Sequence, residues 1–191
     1  MNTATVALPA ATSGRSSVIR LSLIRGLVAL AWAAAFAAAH EPLNAVVLTL
    51  LVTYPLIDAV SCAIDFAAVP DGSERRITAL NGILSTVAAV AVGVAGTVGG
   101  VPVVLAVFGV WASLSGATQL AVGIYRRGPV FGKQWPTLIS GGLSFLVGVT
   151  YVAQATGAAP SLAVLAVYAT GGGVFFVVQA ALLAWKSRSV S

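Results

Sequence analysis

The sequence predicts an all-α integral membrane protein, with six transmembrane helices laid out as three tandem parallel helical-hairpin repeats in pseudo-three-fold symmetry. Three observations carry that expectation. Charged residues make up 8% of the chain and hydrophobic residues 59%, with a mean hydropathy of +1.00, whereas soluble domains carry about 25% charged residues. A chain of 191 residues with so few charges does not have the polar surface that a water-soluble fold of its size must expose. The apolar residues gather into six segments, and an aromatic residue followed four positions later by a polar or very small one recurs every 57 residues. The three instances are Tyr54/Asp58, Trp111/Ser115 and Tyr168/Gly172.

Taken in order, residues 1–17 are rich in Ser, Thr and Ala and read as a disordered cytoplasmic tail. The first apolar segment spans 21–39. Arg15 and Arg20 before it and Ala37, Ala38 and Ala39 at its end imitate a secretory signal, but Arg25 interrupts the apolar run, so it is read as a retained helix. The remaining segments are 44–69, 77–98, 102–125, 135–156 and 160–185. A helix needs about 20 residues to cross a hydrocarbon core of about 30 Å, and all six approach or exceed that. Barrel strands would be about ten residues long with alternating polarity, which is absent. Repeat boundaries fall at 18–74, 75–132 and 133–186, leaving 187–191 as a short cytoplasmic tail.

The Lys and Arg residues set the expected orientation. Arg15, Arg20 and Arg25 precede or open the first segment, Arg75 and Arg76 lie between the second and third, and Arg126, Arg127 and Lys133 between the fourth and fifth. Lys186 and Arg188 follow the sixth, while the connections around His40, Gly99 and Gly157 contain no Lys or Arg. Positive-inside bias places both termini in the cytoplasm. The net charge of +5 therefore reports topology. Nucleic acid is excluded as a partner, since no basic patch carries base-reading or stacking groups. The expected partner is the lipid bilayer, with a homo-oligomer left open. Trp135, Trp185 and Tyr125 fit an interfacial aromatic belt.

Within each repeat the first helix carries a small-residue mark near its inner end: Arg25-Gly26, Asn81-Gly82 and Ser140-Gly141. A proline, Pro42, Pro102 or Pro160, stands near the start of the returning helix, where its fixed φ suits a first turn. From those glycines to the matched aromatics is 28, 29 and 27 residues. Gly109, Gly116 and Gly123 are seven apart, Ser85, Ala89 and Gly93 four apart, and Gly141 and Gly148 seven apart. Small residues of this kind let membrane helices approach closely. Pro55 is expected to kink the second helix.

Polar residues at membrane depth are the functional candidates. Asp58 lies 14 residues into the second segment, roughly 20 Å from its outer end at about 1.5 Å per residue. Tyr54, Asp58, Ser61 and Asp65 form one stripe, matched by Trp111, Ser115, Thr118 and Val122, and by Tyr168, Gly172, Phe175 and Gln179. These stripes are expected to face the axis. Arg25 is the expected partner of Asp65, with Asp58 hydrogen-bonded to Ser, Thr, Tyr or Gln side chains. Tyr54, Ser115, Gln119 and Gln179 complete the candidates. Three functions compete: interhelical glue, a small proton-coupled transporter or channel titrating Asp58, and an enzyme. The third lacks a nucleophile with an adjacent base, so no catalytic, cofactor or metal residues are assigned. One histidine and one cysteine, Cys62, cannot make a conventional zinc site or an internal disulfide.

The runs Ile24-Arg25-Gly26-Leu27, Tyr54-Pro-Leu-Ile-Asp58-Ala59, Leu80-Asn81-Gly82-Ile83 and Trp111-Ala-Ser-Leu-Ser-Gly116, with Tyr168 ahead of Gly171, Gly172 and Gly173, carry a resemblance that covers roughly residues 20–186. Together they resemble the HdeD-like family of bacterial inner-membrane proteins, built from repeats of paired transmembrane helices. The resemblance implies a multi-pass protein of the bacterial cytoplasmic membrane, associated with acid or envelope stress, without catalytic residues or cofactors. This chain departs from the pattern in Pro55 and in lacking an Arg before Gly82 and Gly141.

Overall fold

The computed structural model describes residues 9–39, 41–68, 72–125 and 134–188. It contains six helices: α1 (Pro9–Ala39), α2 (Ala45–Ala68), α3 (Ser73–Val98), α4 (Gly100–Tyr125), α5 (Trp135–Ala155) and α6 (Ala163–Arg188). Each has a stretch long and apolar enough to cross a bilayer, and the chain is a multi-pass membrane protein. Helix α1 begins at Pro9, inside the stretch that composition reads as disordered. Extending an existing helix adds one hydrogen bond per residue without a new nucleus, so α1 runs back through Ala- and Ser-rich sequence. Residues 1–8, and the positions of His40, Arg126, Arg127 and Lys133, lie outside the described residues.

The helix ends follow from local chemistry. Asn44 Oδ1 accepts hydrogen bonds from the backbone N–H of Val46 (2.9 Å) and Val47 (3.0 Å), capping α2. Ser161 Oγ accepts from Ala163 N at 3.2 Å at the start of α6. Between α3 and α4 the chain reverses through Gly99 and Gly100, and Gly100 sits at φ +68°, a conformation that glycine adopts without strain. Pro102 follows in the first turn of α4. Pro42, Val101 and Pro160 border one shallow depression, so the three short turns meet at one end of the bundle. This is the turn end; the opposite, basic end carries Arg25, Arg75 and Arg76.

The most extensive helix contacts are α4 with α5, α1 with α6, and α2 with α3; α3 with α4 is next, while α1 with α2 and α5 with α6 touch only briefly. The long interfaces therefore fall between the expected repeats, and α1 with α2 and α5 with α6, expected from sequence to pair as the first and third hairpins, barely meet. Glycines explain where the close approaches fall. A Cβ added at Gly141 would stand 2.9 Å from the Gly116 carbonyl oxygen, and one at Gly26 2.9 Å from the Gly173 carbonyl oxygen. One at Gly109 would stand 2.7 Å from the Gly148 carbonyl oxygen, and one at Gly82 3.1 Å from Cys62 Cβ. All three glycines of the α4 stripe face α5.

The fully buried large side chains, Phe36, Val47, Leu51, Val92, Leu105, Phe108 and Leu165 among them, come from the parts of the helices nearest the turn end. The apolar core fills that half. Outward positions such as Ile83, Val90, Val98 and Leu146 are exposed, as a lipid-facing surface requires, and Tyr125, Trp135 and Trp185 are exposed at helix ends. Helix α2 contains Pro55, which is fully buried and leaves the Leu51 carbonyl without its usual donor. One residue away, the Leu50 carbonyl accepts from Trp32 Nε1 and from Thr53 Oγ1, both at 2.7 Å, which ties α1 to α2 beside the proline.

Candidate functional site

The site is built around Asp58. Helix α2 places Tyr54, Asp58 and Asp65 on one face, because four- and seven-residue steps return to the same side of a helix. Helix α3 presents Asn81 and Ser85, also four apart, against that face. Ser85 Oγ donates to Asp58 Oδ2 at 2.6 Å and Asn81 Nδ2 donates to the same oxygen at 3.0 Å. The Cys62 thiol points at it from 3.9 Å and accepts from Asn81 Nδ2 at 3.3 Å. Trp111 of α4 then donates its indole N–H to Ser85 Oγ at 3.0 Å. One carboxylate oxygen thus joins α2 to α3 directly and to α4 through Ser85. All of these donors are neutral.

Two turns nearer the basic end, Arg25 Nη2 donates to Asp65 Oδ2 at 2.6 Å. The side chains are 24% and 32% exposed, so this pair joins α1 to α2 at the rim. The partners of Asp58 include the serine anticipated from sequence, while Asn81 and the thiol of Cys62 stand in place of Thr, Tyr or Gln. Ser140 Oγ donates to Gln119 Oε1 at 2.8 Å, a separate link between α5 and α4. Gln179 is half-buried on α6 and does not belong to the Asp58 network. Ser115 is 6% exposed, and its Oγ has no hydrogen-bond partner; Asn81 Oδ1 is likewise buried and unpartnered.

Above Asp58, toward the turn end, aromatic rings close the middle of the bundle. Tyr54 lies 6.0 Å from Trp111 and 6.3 Å from Tyr168, ring centroid to centroid. Phe108 fills between them, 5.0 Å from Trp111 and 6.1 Å from Tyr168. Trp32 stacks on Phe36 at 4.7 Å and approaches Tyr54 at 4.5 Å. Tyr168 Oη donates to Ser144 Oγ at 3.1 Å, as Trp111 Nε1 does to Ser85. The geometry suits holding helices together and sequestering a carboxylate. Among the described residues no three His, Cys, Asp or Glu side chains converge.

Ser85, Asn81 and Trp111 are the participants that polarity along the sequence does not single out. Ser85 and Asn81 stand out only as small or neutral residues on a packing face, and Trp111 as an aromatic marker whose indole N–H is easily overlooked. The four-residue step between Asn81 and Ser85, matched to the Asp58 face, is the signal that finds them. No family model, no curated protein and no solved structure matches this chain.

Proposed function

We propose that this chain is a non-enzymatic, HdeD-like protein of the bacterial cytoplasmic membrane, with both termini cytoplasmic and its three hairpins related by a pseudo-three-fold axis. Its intramembrane polar residues act mainly as locks between helices. Recurring contacts support the repeat reading. Gly82 approaches the Ala59/Cys62 turn of α2, Gly141 approaches Gly116, and Gly26 approaches Gly173. Ala59, Gly116 and Gly173 each follow the matched aromatic by five residues. The observation that carries the functional reading is the Asp58 network, in which one carboxylate oxygen collects donors from two helices and, through Ser85, reaches a third. The packed layer of Tyr54, Phe108, Trp111 and Tyr168 stands between this carboxylate and the turn end.

Proteoliposomes under a pH gradient test this. The wild-type protein is expected to pass no protons above empty vesicles, and Asp58→Asn to lower the thermal midpoint of the purified protein. Proton flux in the wild type that Asp58→Asn abolishes would instead favour the second reading, a small proton-coupled transporter or channel titrating Asp58. That reading draws on the half-buried state of Asp58 and Asp65, which retain accessible surface on the basic side of the aromatic layer. The association with acid or envelope stress rests on the family resemblance. A deletion strain is expected to survive acid challenge less well, and equal survival would remove it.

A further inference from the structure

We infer that the chain binds a monovalent metal cation, with sodium as the best fit, between α2, α3 and α4, held by the carboxylate of Asp58, the amide oxygen of Asn81 and the hydroxyl of Ser115. Three observations converge on it. First, Asp58 sits at membrane depth, and its hydrogen-bond partners, Ser85, Asn81 and Cys62, are all neutral. Arg25, on α1, pairs through Nη2 with Asp65. A carboxylate withdrawn from water is paired, bound to a metal or neutralised.

Second, two buried oxygen atoms on the neighbouring helices, one on α3 in the amide bonded to Asp58 and one on α4 at the matching register, have lone pairs and no hydrogen-bond partner. Asn81 Oδ1 belongs to the amide whose Nδ2 already donates to Asp58, so its orientation is fixed next to the carboxylate. Ser115 is one turn below Trp111 on α4, as Asp58 is one turn below Tyr54 on α2, and it is 6% exposed with Oγ unpartnered. Buried polar groups without partners are uncommon and call for an occupant.

Third, the matching position on α6 is a glycine. A Cβ built at Gly172 would meet only Tyr54 Oη, at 3.8 Å, and one at Gly171 nothing within 4 Å. The third stripe therefore adds no bulk at the level of Asp58 and Ser115. One carboxylate with neutral amide and hydroxyl oxygens is a hard donor set of single negative charge. It balances a monovalent cation, whereas divalent calcium draws on several carboxylates. Such an ion would satisfy the charge of Asp58 and both orphaned oxygens together, and would bind α4 to the α2–α3 pair. This cation site is independent of the family assignment and of whether the protein transports anything.

The test is thermal unfolding of the full-length protein in detergent, titrated with sodium chloride against choline chloride at constant ionic strength, alongside radioactive sodium binding. Ligand that binds only the folded state raises its stability with concentration. The wild type is expected to show a saturable rise in midpoint with sodium and none with choline. Asp58→Asn should abolish the response. Ser115→Ala and Asn81→Ala, which each remove one ligand, should weaken sodium about tenfold or more. Ser140→Ala, which removes the hydrogen bond to Gln119, should leave it unchanged. If Asp58→Asn does not fold, the two milder variants decide. Equal midpoints in sodium and choline with no bound radioactivity, as expected were Asp58 simply protonated, overturn the inference. So does a sodium response that survives in both Ser115→Ala and Asn81→Ala. A stable, fully folded Asp58→Asn variant would count against the locking role of Asp58, and its response to sodium would still decide the cation site.

Discussion

Ser85 is the smallest side chain in the polar network and the one that connects it. Its hydroxyl gives its proton to Asp58 and takes one from the Trp111 indole, so Ser85→Ala removes two interhelical bonds at once. Interhelical hydrogen bonds in membranes contribute about 0.6 kcal/mol on average and about 1.7 at most. Loss of roughly 1–3 kcal/mol is expected for Ser85→Ala, read as a lower midpoint in chemical or thermal unfolding, because two such bonds go and Trp111 keeps an unsatisfied N–H. The rim pair behaves differently. Arg25 and Asp65 retain part of their solvent contact, which puts their coupling between the roughly 1 kcal/mol ceiling of exposed pairs and the roughly 3–5 kcal/mol of breaking a buried one. A double-mutant cycle measures it: Arg25→Ala should be distinctly less disruptive in an Asp65→Asn background than in the parent, and equal effects would show that the contact contributes nothing. That Asp58 and Asp65 share one face of α2 was legible from their spacing alone. Which donors reach Asp58 was not, because Asn81 and Ser85 become its partners only when α3 lies against α2.

At the scale of the helix, the glycines divide into those that touch a neighbour and those that do not. Gly116 lies where a Cβ would stand 2.6 Å from the Gly141 carbonyl oxygen, while Gly171 has open space around it. Gly116→Ala should therefore force α4 and α5 apart, with a loss of about 1–3 kcal/mol typical of overpacking. Gly171→Ala should be neutral or stabilising by about 0.5–1 kcal/mol, since alanine suits a helix interior better than glycine. Both variants can be ranked by the fraction remaining monodisperse after heating, and a reversed ranking would contradict the packing described. The seven-residue recurrence of Gly109, Gly116 and Gly123 is enough to reveal a flat face on α4. That this face meets α5 rather than α3 could not be read from it, because spacing along one helix carries no information about which neighbour fills the groove.

For the molecule as a whole, the contact of α6 with α1 closes the arrangement of helices, so the first and last elements depend on each other. A circular permutant that opens the chain between α2 and α3 and joins the native ends with a flexible linker should fold and unfold cooperatively. It keeps the α6–α1 interface, and it severs the chain where the α2–α3 packing, including the Asp58 bonds, holds the two sides together. Failure of that permutant to accumulate, beside a stable parent, would mean that this connection contributes more than side-chain packing. Labelling of single cysteines placed in the turns at Gly99 and Gly157 should report one face of the membrane, and cysteines at the two chain ends the other. Mixed accessibility would overturn the proposed orientation.

Hydropathy alone determined that this is a multi-pass membrane protein with six segments long and apolar enough to cross, because about 20 consecutive apolar residues have few other places to go. It also located the polar residues that must turn inward, since acyl chains offer them no hydrogen bonds. Composition does not reveal that helix continues back to Pro9, because a preceding segment can be carried along by a helix whose stability comes from elsewhere. Only the tertiary structure decided that the long interfaces pair α2 with α3, α4 with α5 and α1 with α6, and that the apolar core and its aromatic layer fill the turn end. It alone brought Asn81, Cys62 and Ser85 to one carboxylate oxygen of Asp58, and Trp111 to Ser85. Those outcomes depend on which helix faces meet, and that choice is made by glycine contacts and ring packing between segments far apart in the chain.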